Sequence, residues 1–275
     1  LNGKGFDWNP PLGYDNTVYQ VEKAELELLK NKKSKSDKLI LHIHGGGYIL
    51  PLSKNYRDIS VELSKRSGEK AQIANLNYRV YPKTYPSALD DAFASWLWLL
   101  KNDYNPKNII IVGDSAGGNL TLALTAKLRD EGYALPKAII CISACSDYTL
   151  AGDSFTYNLY KDPMFGLLKG QPPEDVVKKF SPVYPGKADT KDPYLSPLFG
   201  SLEGFPDMLL LVGTHEMLES DSINIHQKAI SQGVNSKLIR YEGMFHSWQF
   251  FGDLIPESEA AWNDIEKFIQ SQYKD

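Results

Sequence analysis

The chain has 275 residues, 42% of them hydrophobic and 23% charged, which excludes a disordered, collagen-like or coiled-coil protein and leaves room for one large domain with a sizeable core. The 30 Lys and Arg against 34 Asp and Glu give a formal charge of -4, which argues against nucleic acid or an anionic membrane as partner. Cys141 and Cys145 match no zinc or thioredoxin spacing and read as small buried hydrophobes, and no stretch approaches the roughly 20 apolar residues of a membrane span. The expectation is a cytoplasmic protein that needs no disulfide and no metal, with a homo-oligomer left open.

Taken in order, residues 1–37 precede the first clear parallel strand and read as a short lead segment or N-terminal cap. Apolar runs of strand length then alternate with amphipathic helical segments. The pattern predicts strands at Leu39–His44, Gln72–Tyr78, Asn108–Val112, Ala138–Ala144, Met208–Gly213 and Lys237–Tyr241. Between and after them it predicts helices at Asn55–Arg66, Ala88–Lys101, Gly118–Arg129, Ser222–Gln232 and Glu257–Gln272. Runs such as Ile109–Val112 and Leu209–Val212 are apolar on both faces, as central strands of a helix-covered parallel sheet must be. The class is α/β. Residues 147–205 break the rhythm with many Pro, Tyr, Phe and Asp and one helix, Glu174–Phe180; they read as a cap insertion in a single domain.

Gly113-Asp114-Ser115-Ala116-Gly117 stands between a strand and a helix, the context in which a G-x-S-x-G serine is exposed on a tight turn at a helix N-terminus. His44-Gly45-Gly46-Gly47 follows another strand end. Its glycines leave backbone N–H groups open to a ligand oxygen, and such donors stabilise the anion of a tetrahedral intermediate. The expected donors are N–H groups of this glycine run and, just after the serine, that of Ala116.

A serine needs a base. His42 reads as a core residue, His44 as a brace for the glycine loop, His226 as a solvated helix residue and His215 as a neighbour of the acid loop. His246 lies in the loop after the last strand, where a base facing substrate belongs. The acid is expected between serine and histidine in chain order. Glu216 is nearest the strand end, with Glu219 and Asp221 as rivals, and Asp114 reads as structural. Tyr81, Phe155, Tyr157, Trp248 and Phe250 are candidate pocket walls.

His44–Gly47, Gly113–Asn119 and Tyr78-Arg79-Val80-Tyr81-Pro82 together resemble the hormone-sensitive-lipase-like carboxylesterases of the α/β-hydrolase superfamily. The likeness runs over residues 38–146 and 206–250. It implies a mostly parallel central sheet flanked by helices with a small cap, and a serine esterase with no cofactor. The family's triad falls on Ser115, Glu216 and His246, and its oxyanion positions on Gly45, Gly46 and Ala116. Three departures stand out: Glu216 where Asp is usual, Lys83 where the family's Tyr-Arg motif usually ends in Glu, and a short segment before the glycine loop. The last, with the bulky residues near the site, leads to the expectation of short-chain acyl esters as substrates. An amide-directed, arylformamidase-like hydrolase is a rival within the fold, disfavoured by the full glycine run. A catalytically silent ligand-binding relative is a rival from another class, disfavoured because serine and histidine both stand.

Overall fold

A computed structural model describes residues 8–176 and 182–274. Eight strands form one sheet: β1 (Tyr14–Val21), β2 (Ala24–Asn31), β3 (Leu39–Ile43), β4 (Gln72–Asn77), β5 (Ile109–Asp114), β6 (Ala138–Ile142), β7 (Asp207–Gly213) and β8 (Ser236–Tyr241). Their order is β1-β2-β4-β3-β5-β6-β7-β8. The β1–β2 and β2–β4 pairs are antiparallel, and every later neighbour is parallel.

The strand pleat sorts the apolar residues into two cores. Leu39, Leu41, Ile43, Ile109 and Ile111 face one way, against α2 (Ser87–Lys101), α3 (Ala116–Asp130) and, after the short helix α4 (Ser154–Tyr157), α5 (Glu219–Ser231). Ile40, Ile110, Val112, Leu209 and Leu211 face the other way, against α1 (Lys54–Arg66) and α6 (Pro256–Gln272). β3, β5 and β6 are buried along their whole length, which is why they read as unbroken apolar runs.

The lead segment departs from expectation. Instead of a cap, residues 14–31 form a hairpin that extends the sheet through β4. Its turn carries Glu22 at φ 50° where an Asn-Gly or Asp-Gly pair would have announced it, and β1, largely exposed, lacks an apolar run. Glu27 anchors the hairpin to α1 through the guanidinium of Arg57, 2.6 Å away. Of the helix expected at Glu174–Phe180, a 3-10 turn over Pro173–Asp175 is present, and the remainder falls largely outside the described residues.

The parallel register determines where chemistry can gather. Ile43 pairs with Gly113, Asp114 with Ile142, Ile142 with Leu211 and Gly213 with Tyr241, so five strands end at one edge. The loops that follow them open on common ground, as ligand-binding loops of parallel sheets do.

Candidate active site

β5 ends at Asp114 and α3 begins at Ala116, leaving Ser115 alone in the turn. Its φ of 52° and ψ of -119° lie where residues with a Cβ are strained, a cost of order 1–3 kcal/mol that the surroundings must sustain. The neighbouring strand does so, because the Ser115 N–H donates to Ile142 O at 2.8 Å. A serine preceding a helix ordinarily spends its hydroxyl on the first helical N–H groups. Ser115 makes no such bond and borders a cavity instead. Behind it, a Cβ on Gly117 would strike the carbonyls of Ile43 and His44, so only glycine lets the turn press against the end of β3.

The glycine loop is held from several sides. His44 is fully buried and places Nδ1 2.7 Å from Gly45 O. Its ring stacks on Tyr78 at 4.2 Å, and the Tyr78 hydroxyl donates to His44 O at 2.8 Å. Burial lowers the imidazole pKa to about 3, so the ring is neutral and its Nδ1–H is the donor. The Gly45 N–H is already committed, donating to Asp114 Oδ1 at 3.0 Å. That corrects the expectation for Gly45: a donor bound to a carboxylate cannot also receive an oxyanion. Gly46 and Gly47, at φ 100° and 63°, border the cavity with Ser115 and Ala116.

Glu216 and His246 are in contact. His246 Nδ1 lies 2.9 Å from Glu216 Oε2, and both side chains are buried. Glu216 Oε1 accepts the Gly213 N–H at 2.6 Å and the Ser143 hydroxyl at 2.8 Å. Ser143, at φ 49° just beyond β6, was not singled out from the sequence, where a lone serine after an apolar run carries no signal. The Ser247 N–H points back at its Oγ from 3.4 Å, linking the acid and base loops.

The rival acids are engaged elsewhere. Glu219 pairs with Arg240 and accepts the Tyr157 hydroxyl at 2.8 Å. Asp221 Oδ2 accepts the N–H groups of Ser146 and Asp147 at 2.6 and 3.0 Å, and burial raises its pKa to about 7. Of the other histidines, His42 places Nδ1 2.9 Å from Asn75 Oδ1, and His226 Nδ1 is 2.9 Å from Ser236 Oγ.

Ser115, Ala116 and His246 open on one cavity of about 520 Å³, within the usual range for small-molecule sites. Its apolar wall is built by Ile49, Leu50, Tyr148, Met164, Phe165 and Leu218. None of the five expected wall residues borders it. Trp248 is fully buried and stacks obliquely on Tyr241, while Phe250 packs near Trp262 and edge-on to Tyr56. The 3-10 turn from Trp248 to Leu254 aims these rings at α6 rather than at the serine. Phe155 packs against the cores, Tyr157 is tied to Glu219, and Tyr81 is largely exposed. The missed residues left one trace: Ile49 and Leu50 are apolar yet directly follow the glycine loop, where a solvated turn would be polar.

Comparison with known proteins places this geometry. Residues 40–250 match the model of the alpha/beta hydrolase fold family. The chain belongs to that family. This α/β hydrolase is 32% identical over 263 residues to an esterase from Acinetobacter venetianus, covering 93% of the chain and 84% of the relative. It is 31% identical over 233 residues to an acetyl-hydrolase from Streptomyces hygroscopicus, covering 84% and 75%. Its fold superposes on the crystal structure of an esterase from the bacterial hormone-sensitive lipase family with a TM-score of 0.85 at 29% identity, covering 97% of this chain and 87% of that one. Among the described residues of the hydrolase no helix is long and apolar enough to cross a membrane, and no group of three or more His, Cys, Asp or Glu side chains could hold a metal ion.

Proposed function

We propose that this α/β hydrolase, a carboxylic ester hydrolase, cleaves short-chain acyl esters through an acyl-enzyme on Ser115. The observation that carries the reading is the strained, uncapped Ser115 sharing a cavity with His246, whose far ring nitrogen is held by Glu216. Ser115 Oγ attacks the ester carbonyl carbon while His246 Nε2 takes its proton, forming a tetrahedral intermediate. Its oxyanion is received by the N–H groups of Gly46, Gly47 and Ala116. Collapse expels the alcohol, which leaves with the proton from Nε2; water then attacks the acyl carbon, His246 again accepts and returns a proton, and the carboxylic acid departs. Glu216 remains ionised throughout, fixing the tautomer with Nδ1–H and stabilising the imidazolium.

The short-chain preference rests on the cavity, where Tyr148, Phe165 and Met164 leave a compact volume, and on the name of the acetyl-hydrolase relative. Each methylene that finds the wall gains roughly 0.8 kcal/mol, and one left in water gains nothing. The test is kcat/KM over p-nitrophenyl esters from acetyl to decanoyl, with Ser115→Ala as control. Rates should peak between acetyl and butyryl and fall steeply by octanoyl. The alanine variant should lose at least about four orders of magnitude in kcat with its melting curve unchanged. A steady climb to decanoyl refutes the chain-length reading, and a folded Ser115→Ala that still turns over refutes the nucleophile.

A further inference from the structure

Tyr56 stands in the first turn of α1, away from the elbow, the acid loop and the base loop, yet it borders the catalytic cavity. Its hydroxyl donates to Asp114 Oδ2 at 2.9 Å. The other oxygen of that carboxylate, Oδ1, accepts the Gly45 N–H at 3.0 Å. Asp114 immediately precedes the nucleophile and Gly45 immediately precedes Gly46, so a strut of two hydrogen bonds runs from α1 through the elbow to the glycine loop. The fit is close, since a Cβ on Gly45 would collide with the Asp114 carboxylate and the Tyr56 hydroxyl.

We propose that Tyr56 is a positioning residue for the oxyanion hole: by fixing the Asp114 carboxylate it sets the Gly45–Gly47 loop at the height where the Gly46 and Gly47 N–H groups meet the developing oxyanion. The proposal rests on the reading of Ser115 as nucleophile beneath those donors. A buried carboxylate held by one N–H and one O–H has a defined rotamer; with the O–H removed it can rotate or take up a proton, and either loosens its hold on Gly45. Burial already pushes Asp114 up to about 6, and the Tyr56 hydrogen bond is foremost among the influences that oppose it. The other groups facing this pair are few. His246 from the base loop favours the ionised carboxylate. His42 on β3 and His44 just beyond its end, with ring centroids 5.9 and 5.5 Å from Tyr56, are held neutral by burial, and the hydroxyl of Tyr78 is raised far above neutrality. Phe250 contributes an apolar edge.

Tyr56→Phe keeps the ring and removes only the donor. Three readouts separate positioning from general support: steady-state kinetics, inhibition by a methyl trifluoromethyl ketone whose serine-bound hemiketal places an oxyanion in the hole, and the pH profile of kcat. The expected result is a kcat lower by about tenfold at pH 7, a modest fraction of the 10²–10³ lost with a whole donor, and a KM within about twofold of wild type. Ketone inhibition should weaken in parallel with kcat/KM. The acid limb of the kcat profile should move to higher pH, and this movement should vanish in an Asp114→Asn background, where no proton can be gained. Ketone inhibition equal to wild type in a folded Tyr56→Phe enzyme overturns the proposal, as does a limb that moves equally in both backgrounds. Labelling of the wild type by an organophosphonate tests the underlying reading separately: loss of labelling in Ser115→Ala supports it, and unlabelled wild type removes the nucleophile rather than the strut.

Discussion

Two oxygens of one carboxylate divide the labour at Glu216. Oε1 is taken by the Gly213 N–H and the Ser143 hydroxyl, which leaves Oε2 for His246. An amide of the same shape would have to turn either its NH₂ toward those two donors or its NH₂ toward the imidazole, and in the second case the ring adopts the wrong tautomer. Glu216→Gln is therefore expected to lower kcat by at least about two orders of magnitude, a cautious fraction of the roughly 10⁴-fold known for such an exchange. Asp221→Asn should stay within about tenfold of wild type, because its carboxylate serves the Ser146 and Asp147 N–H groups and an amide oxygen can do the same. Kinetics of both variants decide between the two acids; a crippled Asp221→Asn beside a nearly normal Glu216→Gln would reverse the assignment.

Among the elements, the insertion after β6 is fastened to the acid loop at several points, through Ser154, Tyr157, Asn158 and Asp162. Asp162 Oδ1 accepts the N–H groups of Met164 and Phe165 at 2.8 and 3.0 Å, and Oδ2 accepts the Met217 N–H at 2.8 Å. This clasp seats the Phe165 ring 4.6 Å from that of His246. Asp162→Ala strands buried donors, each costing about 1–3 kcal/mol, so a melting temperature lower by several degrees is expected, together with a rise in KM of roughly tenfold as the wall loosens. Asp162→Asn, which keeps an acceptor, should fall between. An unchanged KM in the alanine variant would show that the clasp does not shape the cavity. The same element marks the boundary of what could be read in the chain. His44–Gly47 and Gly113–Gly117 were legible because consecutive residues dictate their own backbone, and the order of serine, acid and histidine pointed to Glu216 and His246. The donor set was not, because whether Gly45 is free depends on Asp114, a partner 69 residues distant. Nor was the wall, since Phe165 and Trp248 are both aromatic and only turn geometry sends one to the cavity and the other to the core.

At the scale of the molecule, the buried groups His42 and His44 oppose Asp114 and Asp221 in the pH dependence of stability. His42 and His44, lowered to about 4 and 3, bind protons less readily folded than unfolded, so they make stability rise with pH until the unfolded imidazoles lose their protons near 6.5. Asp114 and Asp221, raised to about 6 and 7, bind protons more readily folded, so they make stability fall as pH climbs from the unfolded carboxyl value near 3.9 to those folded values. Between pH 4 and 6 these contributions largely cancel; from 6.5 to 7 Asp221 alone remains. Asp221→Asn removes one falling contribution, and its stability relative to wild type should increase between pH 4 and 8 by up to about 4 kcal/mol. Urea unfolding at several pH values checks this, and a constant difference between the two proteins would contradict it.

The sheet order has a consequence for biosynthesis. The β1–β2 hairpin leaves the ribosome ahead of the other strands of the sheet, yet its neighbour β4 follows only after β3 and α1, and β3 waits in turn for β5. At roughly 5–20 residues per second, the hairpin carries an unpaired edge for some seconds before the sheet can close over it. The elbow and glycine loop can assemble once β6, whose Ile142 carbonyl holds the Ser115 N–H, has emerged, whereas His246 comes only after β8. A nascent polypeptide thus displays a strained serine well before the histidine proposed as its base exists, so hydrolysis by the proposed triad must wait until β8 and the loop after it have emerged.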